Sequence, residues 1–205
     1  MATREFQSPL ERVVDDARRI LDDLGQSWAL IGGLAVSART EPRFTRDVDF
    51  AVSLPGDREA ETLIRDIQAH GYQVATVVEQ EATGRLATAR LQAVGEDHGT
   101  VLDLLFASSG IESEIVTNAT PVEVFPGLQL PVATVADLLA LKILARDDSR
   151  RPQDAMDIRA LLSESTPADL EATRAALSLI RERGYHRGRD LLGLFEEARH
   201  HFRRE

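Results

Sequence analysis

The sequence predicts an α/β (α+β) domain over residues 1–132, followed by a helical domain over residues 133–205. Two observations carry this prediction. Helical and strand periodicities alternate along the first part, with glycines at the ends of elements, whereas only helical spacing follows Pro131. Because no flexible linker separates the two parts, we expect them to pack together and form a cleft between them.

The first part is predicted to contain three helices and several strands. Apolar residues at helical spacing from Leu10 to Leu24, closed by Gly25, indicate the first helix. Gly71 ends the third helix, and the pair Pro126-Gly127 is typical of a hairpin turn. In chain order we expect a helix at 9–24, a strand at 28–31, a helix at 34–39, a strand at 47–53, a helix at 56–70, strands at 72–78, 85–93 and 101–107, and a hairpin at 122–131.

The second part is predicted to contain four helices. Thr134 followed by Asp137 resembles a capping box and predicts a helix start. Pro152 suits the first turn of the next helix. Two further helices are expected at 167–182 and 188–203.

Composition excludes several classes of protein. The chain has 205 residues with 43% hydrophobic and 28% charged side chains, which is typical of a globular domain. No apolar run approaches the roughly 20 residues that a membrane span needs. The absence of cysteine removes disulfides, thiolate metal sites and cysteine nucleophiles. Since no export signal is visible, we expect a cytoplasmic protein without a membrane partner.

Charge is unevenly distributed along the chain. The formal net charge of −10 argues against non-specific coating of nucleic acid. Residues 181–205 nevertheless carry seven arginines and five acids, a net of +2. This segment is either a local basic patch or a solvated helix face of mixed charge.

Three acids indicate a site for divalent metal. Val48 and Phe50 alternate with Asp47 and Asp49, which is the period of a half-buried strand, so both carboxylates point one way. At a spacing of roughly 6.5–7 Å they repel unless a cation lies between them, and hard oxygen ligands suit Mg²⁺. Asp103, on another predicted strand, would complete a cup for one or two ions that clamp the attacking and leaving oxygens of phosphoryl transfer.

Further residues have the chemistry of phosphate binding. Gly32 and Gly33 permit a tight turn whose backbone N–H groups approach a phosphate at a helix start. Lys142 is the only lysine beside 23 arginines, and a compact point charge suits phosphate. The alternative is that Lys142 extends to solvent between leucines. Asp154 and Asp157 share one helix face, either for catalysis or because the helix dipole favours acids there.

These motifs resemble a known family. They are similar to the signature of the nucleotidyltransferase superfamily with the polymerase-beta-like fold, and to its AbiEii-type branch of bacterial toxin nucleotidyltransferases. The wider superfamily more often has Gly-Ser, so Gly33 offers no hydroxyl there and Thr45 would supply one instead. The pattern is Gly32-Gly33 followed by Arg43-Phe44-Thr45-Arg46-Asp47-Val48-Asp49.

The second half of the chain adds to the resemblance. The AbiEii-type branch also carries a lysine on a helix, which matches Lys142, and then an Arg-x-x-Asp-x-x-Asp-like stretch. The matching residues here are Arg151, Asp154 and Asp157. Family members often have lysine where this chain has Gln153, so one cation is missing.

The resemblance implies a mixed sheet and a Mg²⁺-dependent transfer of a nucleoside monophosphate from a nucleoside triphosphate to an acceptor hydroxyl. Asp103 would hold metal with its two partners and help to activate the acceptor, and Asp154 would be catalytic. The implied metal ligands are Asp47, Asp49 and Asp103, the implied nucleotide-binding residues are Gly32, Gly33, Arg43, Thr45 and Lys142, and Lys142 also counts as catalytic.

The resemblance also implies a biological role. We expect the toxin of a toxin–antitoxin or phage-defence module, with tRNA as acceptor and an antitoxin protein as partner. An enzyme that modifies an antibiotic or a protein is the first alternative, and the acidity of the first 180 residues favours a cationic antibiotic. A catalytically silent relative that binds a nucleotide or a partner is the second.

Overall fold

The computed structural model describes residues 8–94, 100–147 and 152–202, and confirms an α/β architecture with a mixed sheet and a helical C-terminal region. Arg151 lies outside the described residues. The elements in chain order are α1 Pro9–Asp23, β1 Trp28–Ile31, α2 Gly32–Arg39, β2 Asp47–Val52, α3 Asp57–Ala69, β3 Tyr72–Glu79, β4 Leu86–Ala93, β5 Val101–Leu105, α4 Glu112–Asn118, β6 Thr120–Phe125, β7 Leu128–Val132, α5 Val135–Ala145, α6 Pro152–Glu164, α7 Pro167–Glu182 and α8 Leu191–Phe202.

The described strands form a seven-stranded sheet in the order β3-β4-β5-β2-β1-β7-β6. The pairs β2–β5 and β1–β7 are parallel and the remaining neighbours are antiparallel. The strand that carries the Asp-x-Asp motif therefore lies at the centre of the sheet. Its neighbours are β1, which leads into the glycine pair, and β5, which carries the third acid.

Strand β2 is more deeply buried than the sequence pattern predicts. Ala51 lies on the face expected to be open, yet it is fully buried. Helices α1, α2 and α4 all contact β2, so apolar packing closes over most of the strand. Only its first residues remain accessible, with Asp47 exposed and Asp49 partly buried. The acids thus lie at the one open end of an interior strand.

Two details differ from the predicted elements. Helix α4 has no counterpart among them, because seven residues with a single fully buried apolar side chain, Ile115, give too short a pattern to detect. Helix α2 begins at Gly32 rather than at Leu34, so both glycines belong to its first turn. The position of the first backbone N–H groups of α2 is therefore set by the glycine pair.

The helical region packs directly beside the glycine pair. Helices α5 and α6 both contact α2, and α5 is in turn covered by α7 and α8. Thr134 begins α5, as the sequence predicts, and its hydroxyl accepts a hydrogen bond of 3.1 Å from the Asp137 backbone N–H. A full capping box, Thr166 with Asp169, begins α7. The domain boundary at residue 132 stays a prediction.

No helix in the described part of the chain is both long and apolar enough to cross a membrane.

Candidate active site

The three acids of the predicted metal site are neighbours in the sheet. Asp49 on β2 lies directly opposite Asp103 on β5 in the parallel register, and adjacent strands are about 4.8 Å apart. Asp47 lies two residues before Asp49 on the same face. The next strand places Arg90 opposite Asp103. A row of charged side chains therefore crosses the middle of the sheet at the open end of β2.

Asp49 is the acid most affected by its surroundings. Burial, together with the neighbouring carboxylates of Asp103 and Asp47, raises the pKa of Asp49 to about 7, while Lys142 and Arg90 act in the opposite direction. Close to neutral pH this group exchanges between a neutral acid and a carboxylate. A bound cation would favour the carboxylate, so the sheet holds an acid whose charge depends on what binds beside it.

Arg90 is a site residue that the sequence analysis missed. Its guanidinium donates two hydrogen bonds to Asp103, from Nε at 2.9 Å and from Nη2 at 2.6 Å. These bonds raise the pKa of Arg90 further above its usual value. The sequence shows only an arginine within a largely apolar strand that also contains Thr88 and Gln92. The partner of this arginine depends on the β4–β5 register, which one-dimensional patterns do not provide.

The carboxylates have the chemistry of a magnesium site, but as placed they do not yet form one. Among the described residues, no three acidic or histidine side chains converge closely enough to hold a metal ion. The reason is visible at Asp103, since both of its oxygens face Arg90. Asp47 and Asp49 suit a hard cation, whereas Asp103 fits only if it shares or exchanges the guanidinium.

The glycine pair leaves room for the charged side chains around it. Gly32 adopts φ +67°, and a Cβ there would overlap the carboxylate of Asp49. A Cβ on Gly33 would lie 2.7 Å from Nη2 of Arg43 and 3.2 Å from Oγ1 of Thr45. Arg43 and Thr45 thus occupy the space that a serine side chain at residue 33 would need. No described side chain caps the N-terminus of α2, so its first N–H groups can meet a phosphate.

Replacing Gly32 by alanine should therefore damage the site more than its backbone angle alone would predict. Gly25 is a matched control, because its φ is +65° but nothing lies within 4 Å of the position that an added methyl group would take. Gly25→Ala should cost only the left-handed strain, about 1–2 kcal/mol of unfolding free energy. Gly32→Ala should cost more, because Asp49 must also move. Denaturant unfolding of both variants compares the two costs, and equal losses would contradict the packing of Asp49 against Gly32.

Arg43 and Lys142 belong to one buried ion network. Arg43 holds Asp157 through Nε at 2.6 Å and Nη2 at 2.8 Å. Lys142 Nζ lies 2.7 Å from Asp157 and 2.8 Å from Asp154. The side chain of Lys142 is 15% exposed and that of Asp157 1% exposed. The alternative that Lys142 extends to solvent is therefore wrong, and Asp157 is the bridge between the two cations.

A single cleft of about 1070 Å³ connects these groups and lies between the sheet and the helical region. Gln153 and Arg187 also face it, from α6 and from the segment after α7. All nine predicted site residues line this cleft: Gly32, Gly33, Arg43, Thr45, Asp47, Asp49, Asp103, Lys142 and Asp154. Their individual roles stay predictions.

An aromatic residue at the cleft escaped the sequence analysis. Phe44 lines the cleft, yet its side chain is 78% exposed. The guanidinium of Arg46 lies 5.3 Å from the centroid of its ring. Sequence alone did not separate this phenylalanine from a core residue. An exposed ring beside a guanidinium is a surface on which a planar group can stack.

The arginines of the C-terminal segment do not act as one patch. Arg183 is bound to Glu114 at 3.0 and 2.6 Å, and Arg189 donates to the carbonyl of Leu144 at 2.8 Å. Arg181 is exposed, while Arg187 lines the cleft. Of the two alternatives for this segment, the pairing of Arg183 and Arg189 within the fold favours a face of mixed charge over a single basic patch. Arg187 lines the cleft and also contacts the carbonyl of Ser108 at 3.5 Å.

The central carboxylates, the glycine turn and the cleft on a mixed sheet agree with the class of protein that the family comparison shows, a nucleotidyltransferase. The family model described as "Nucleotidyl transferase AbiEii toxin, Type IV TA system" matches residues 17–205. The chain belongs to this family.

Solved structures show the same fold. The antigenic nucleotidyltransferase-like protein from Paracoccidioides brasiliensis is 21% identical, with 91% of this chain and 92% of that chain covered and a TM-score of 0.52. The antibiotic-resistance factor ANT(2'')-Ia is 17% identical, with 93% and 96% covered and a TM-score of 0.54. At these identities the likeness shows the fold alone. Comparison with curated proteins gives no match.

Proposed function

We propose that this protein is a Mg²⁺-dependent enzyme that transfers a nucleoside monophosphate from a nucleoside triphosphate to an acceptor hydroxyl. One observation carries the proposal. Asp49 and Asp103 are direct partners on parallel strands, with Asp47 beside them, at the base of a cleft that also holds cationic side chains. Carboxylates forced together in this way are the expected donor set for a divalent cation.

The proposed reaction is transfer at the α-phosphate of the nucleotide. The acceptor oxygen forms a bond to the α-phosphorus, the bond from that phosphorus to the bridging oxygen breaks, and pyrophosphate leaves. The hydroxyl proton passes to Asp103 or to water. Mg²⁺ supplies positive charge where negative charge develops on the phosphate oxygens. Asp47, Asp49 and Asp103 would hold that ion, while the glycine turn of α2 would present N–H groups to the phosphates.

Lys142 and Arg43 complete the electrostatics of the triphosphate site. Both line the cleft, and both are held in place by Asp157. Asp154 and Asp157 neutralise part of the positive charge of Lys142 and Arg43. The two cations therefore act on a phosphate mainly through well-oriented hydrogen-bond donors rather than through excess positive charge. A positioned ammonium and guanidinium stabilise the charge that moves onto the leaving pyrophosphate.

Metal affinity should depend on pH through Asp49. Its pKa of about 7 lies above the ordinary value of 3.8, so below about pH 7 a cation must displace a proton. We expect the affinity for Mn²⁺ to fall about tenfold per pH unit below that point and to level off above it. Electron paramagnetic resonance of unbound Mn²⁺ at about pH 5.5 and about pH 8 measures the change.

The same raised pKa predicts how stability changes with pH. Without metal, Asp49 ionises near its ordinary pKa of 3.8 in the unfolded chain but only at about pH 7 in the folded protein. The free energy of unfolding should therefore decrease as pH rises from about 4 to about 7, because the unfolded chain gives up this proton first.

In Asp49→Asn the Mn²⁺ affinity should be weak and much less dependent on pH. Wild-type affinity that stays constant across this range would contradict the assignment.

For the acceptor we propose the end of a tRNA. The support is the family description as a toxin, together with Phe44 and Arg46 at the cleft. A base can stack on the exposed ring while the guanidinium meets a phosphate. Arg187 gives a further cation on the helical side of the cleft. We further propose a cytoplasmic toxin within a toxin–antitoxin module, in line with the family description, with an antitoxin protein as partner.

A cationic antibiotic is the second candidate acceptor, favoured by a specific observation. Glu79 and Glu81 line the cleft near β3, and the first 180 residues are strongly acidic. Acidic walls attract polyamines and repel nucleic acid at long range. A catalytically silent relative is a weaker candidate, because the sequence keeps all three acids, Asp47, Asp49 and Asp103, and all three line the cleft.

The acceptor is tested by incubating the protein with Mg²⁺, each α-labelled nucleoside triphosphate, and either total tRNA, an aminoglycoside or a protein mixture. We expect label on tRNA that decreases with added salt. Phe44→Ala and Arg46→Gln should weaken labelling of tRNA without affecting metal binding. Val94→Ala is a control, since Val94 is an exposed apolar residue that does not line the cleft. Label on the aminoglycoside or protein alone would transfer the proposal to that acceptor.

A further inference from the structure

The contact between Arg90 and Asp103 separates the third acid from the other two. Both oxygens of Asp103 accept hydrogen bonds from one guanidinium, and Asp103 is only 6% exposed. The backbone places Asp103 directly opposite Asp49. The backbone of the strands therefore already places three acids side by side. Only the ion pair of Asp103 with Arg90 keeps the Asp103 carboxylate from acting together with Asp47 and Asp49.

Arg90 itself is placed to make a second contact. It lies on β4, next to β5, and its side chain is 48% exposed although the partner carboxylate is buried. It lines the same cleft as the glycine turn and Lys142. The planar guanidinium fork binds carboxylate and phosphate with the same two-point geometry. Because the side chain of Arg90 is partly exposed to the cleft, we expect a rotation of this side chain, without movement of the sheet, to change its partner.

We propose that Arg90 exchanges partners when substrate binds: it holds Asp103 in the free protein and turns to the triphosphate of the nucleotide, which releases Asp103 to complete the cation site. This inference rests on the proposed function. In the free protein Arg90 then acts as an internal counter-ion that opposes binding of a divalent cation. In the substrate complex it contributes to nucleotide affinity and leaves all three acids available.

The exchange predicts opposite effects on two ligands. Removing the guanidinium takes a positive charge away from three carboxylates, so a divalent cation should bind more tightly in the absence of nucleotide. The same change removes a phosphate ligand, so the nucleotide should bind less tightly in the absence of metal. A residue that only stabilises the sheet would not change the two affinities in opposite directions.

The experiment measures both affinities on Arg90→Gln. Mn²⁺ alone is titrated by electron paramagnetic resonance, and an unreactive α,β-methylene triphosphate is titrated by NMR with a chelator present. We expect Mn²⁺ to bind about tenfold more tightly and the analogue about tenfold more weakly than in wild type. Unchanged or weaker Mn²⁺ binding by the folded variant would overturn the inference.

A matched control is available on the same strand region. Arg85 forms an ion pair with Asp57 at 3.2 Å but does not line the cleft. Arg85→Gln should leave both affinities at the wild-type value. In the background of Asp103→Asn, the further change Arg90→Gln should no longer strengthen Mn²⁺ binding, because the two residues act as one unit. A full additional effect in that background would also overturn the inference.

Two further variants keep the result interpretable. If Arg90→Gln fails to fold, Arg90→Lys retains a positive charge but leaves one oxygen of Asp103 available, and its Mn²⁺ affinity should lie between wild type and the value expected for glutamine. Weaker binding than wild type would contradict the exchange. Asp49→Asn distinguishes the two proposals. If it binds Mn²⁺ as wild type does, the metal site itself is wrong, whereas lost binding combined with no effect at Arg90 overturns only the exchange.

Discussion

Asp49→Asn is expected to lose nucleotidyl transfer by about three orders of magnitude or more. Asparagine keeps the shape of the side chain but removes the charge that, in the proposed mechanism, would hold a cation opposite Asp103. The fold should survive. Because burial and two neighbouring acids raise the pKa of Asp49 to about 7, removing its charge should leave stability unchanged or increase it at about pH 8.

Steady-state kinetics and thermal unfolding of the same preparation separate the two effects. Asp57→Asn is a suitable control, since Asp57 is an acid paired with Arg85 outside the cleft and should retain full turnover. Wild-type transfer by folded Asp49→Asn would remove the basis for the metal site. Loss of folding would instead assign Asp49 a structural role that its raised pKa does not predict.

Lys142→Ala is expected to have the second largest effect, and it should reduce both stability and activity. The ammonium lies within 2.8 Å of Asp154 and 2.7 Å of Asp157, both almost fully buried. Arg43 still holds Asp157 in the variant, but Asp154 is left without its cation. Breaking a buried pair from one side costs about 3–5 kcal/mol of unfolding free energy.

A double variant separates structure from catalysis at this position. Lys142→Met combined with Asp154→Asn removes both charges of the pair, so stability should return to within about 1–2 kcal/mol of wild type. Transfer should stay low, because the ammonium proposed to contact phosphate and the predicted catalytic carboxylate of Asp154 are both absent. Lys142→Arg should fold but turn over slowly, since a planar fork does not replace a compact ammonium. Recovery of activity together with stability would assign Lys142 to the fold alone.

Local sequence patterns predict what depends on neighbours along the chain. The alternation around Asp47 and Asp49 locates the strand, and Gly32 with Gly33 marks the turn that leaves room for Asp49. The unique lysine among 23 arginines singles out Lys142. The strand and the turn can be predicted because each depends on neighbouring residues alone, through a period of two or a missing Cβ.

Long-range pairing explains what those patterns miss. The bond from Arg43 to Asp157 joins residues 114 positions apart, and the Arg90–Asp103 contact requires the register of two strands. Exposure of Phe44 follows from the position of a loop at the cleft, which composition does not indicate. The sequence left open whether the C-terminal arginines form a basic patch for the same reason, since Arg183 is paired with Glu114 from a helix that the periodicity does not reveal.

The fate of two different phosphate labels tests the central claim most directly. Parallel reactions contain nucleoside triphosphate labelled either at the α-phosphate or at the γ-phosphate, with Mg²⁺ and total tRNA as acceptor. Nucleotidyl transfer predicts that the α-label stays on the acceptor, that the γ-label leaves as pyrophosphate in equal amount, and that both signals vanish in Asp49→Asn. Transfer of the γ-label to the acceptor, or equal signals from wild type and Asp49→Asn, would contradict the account.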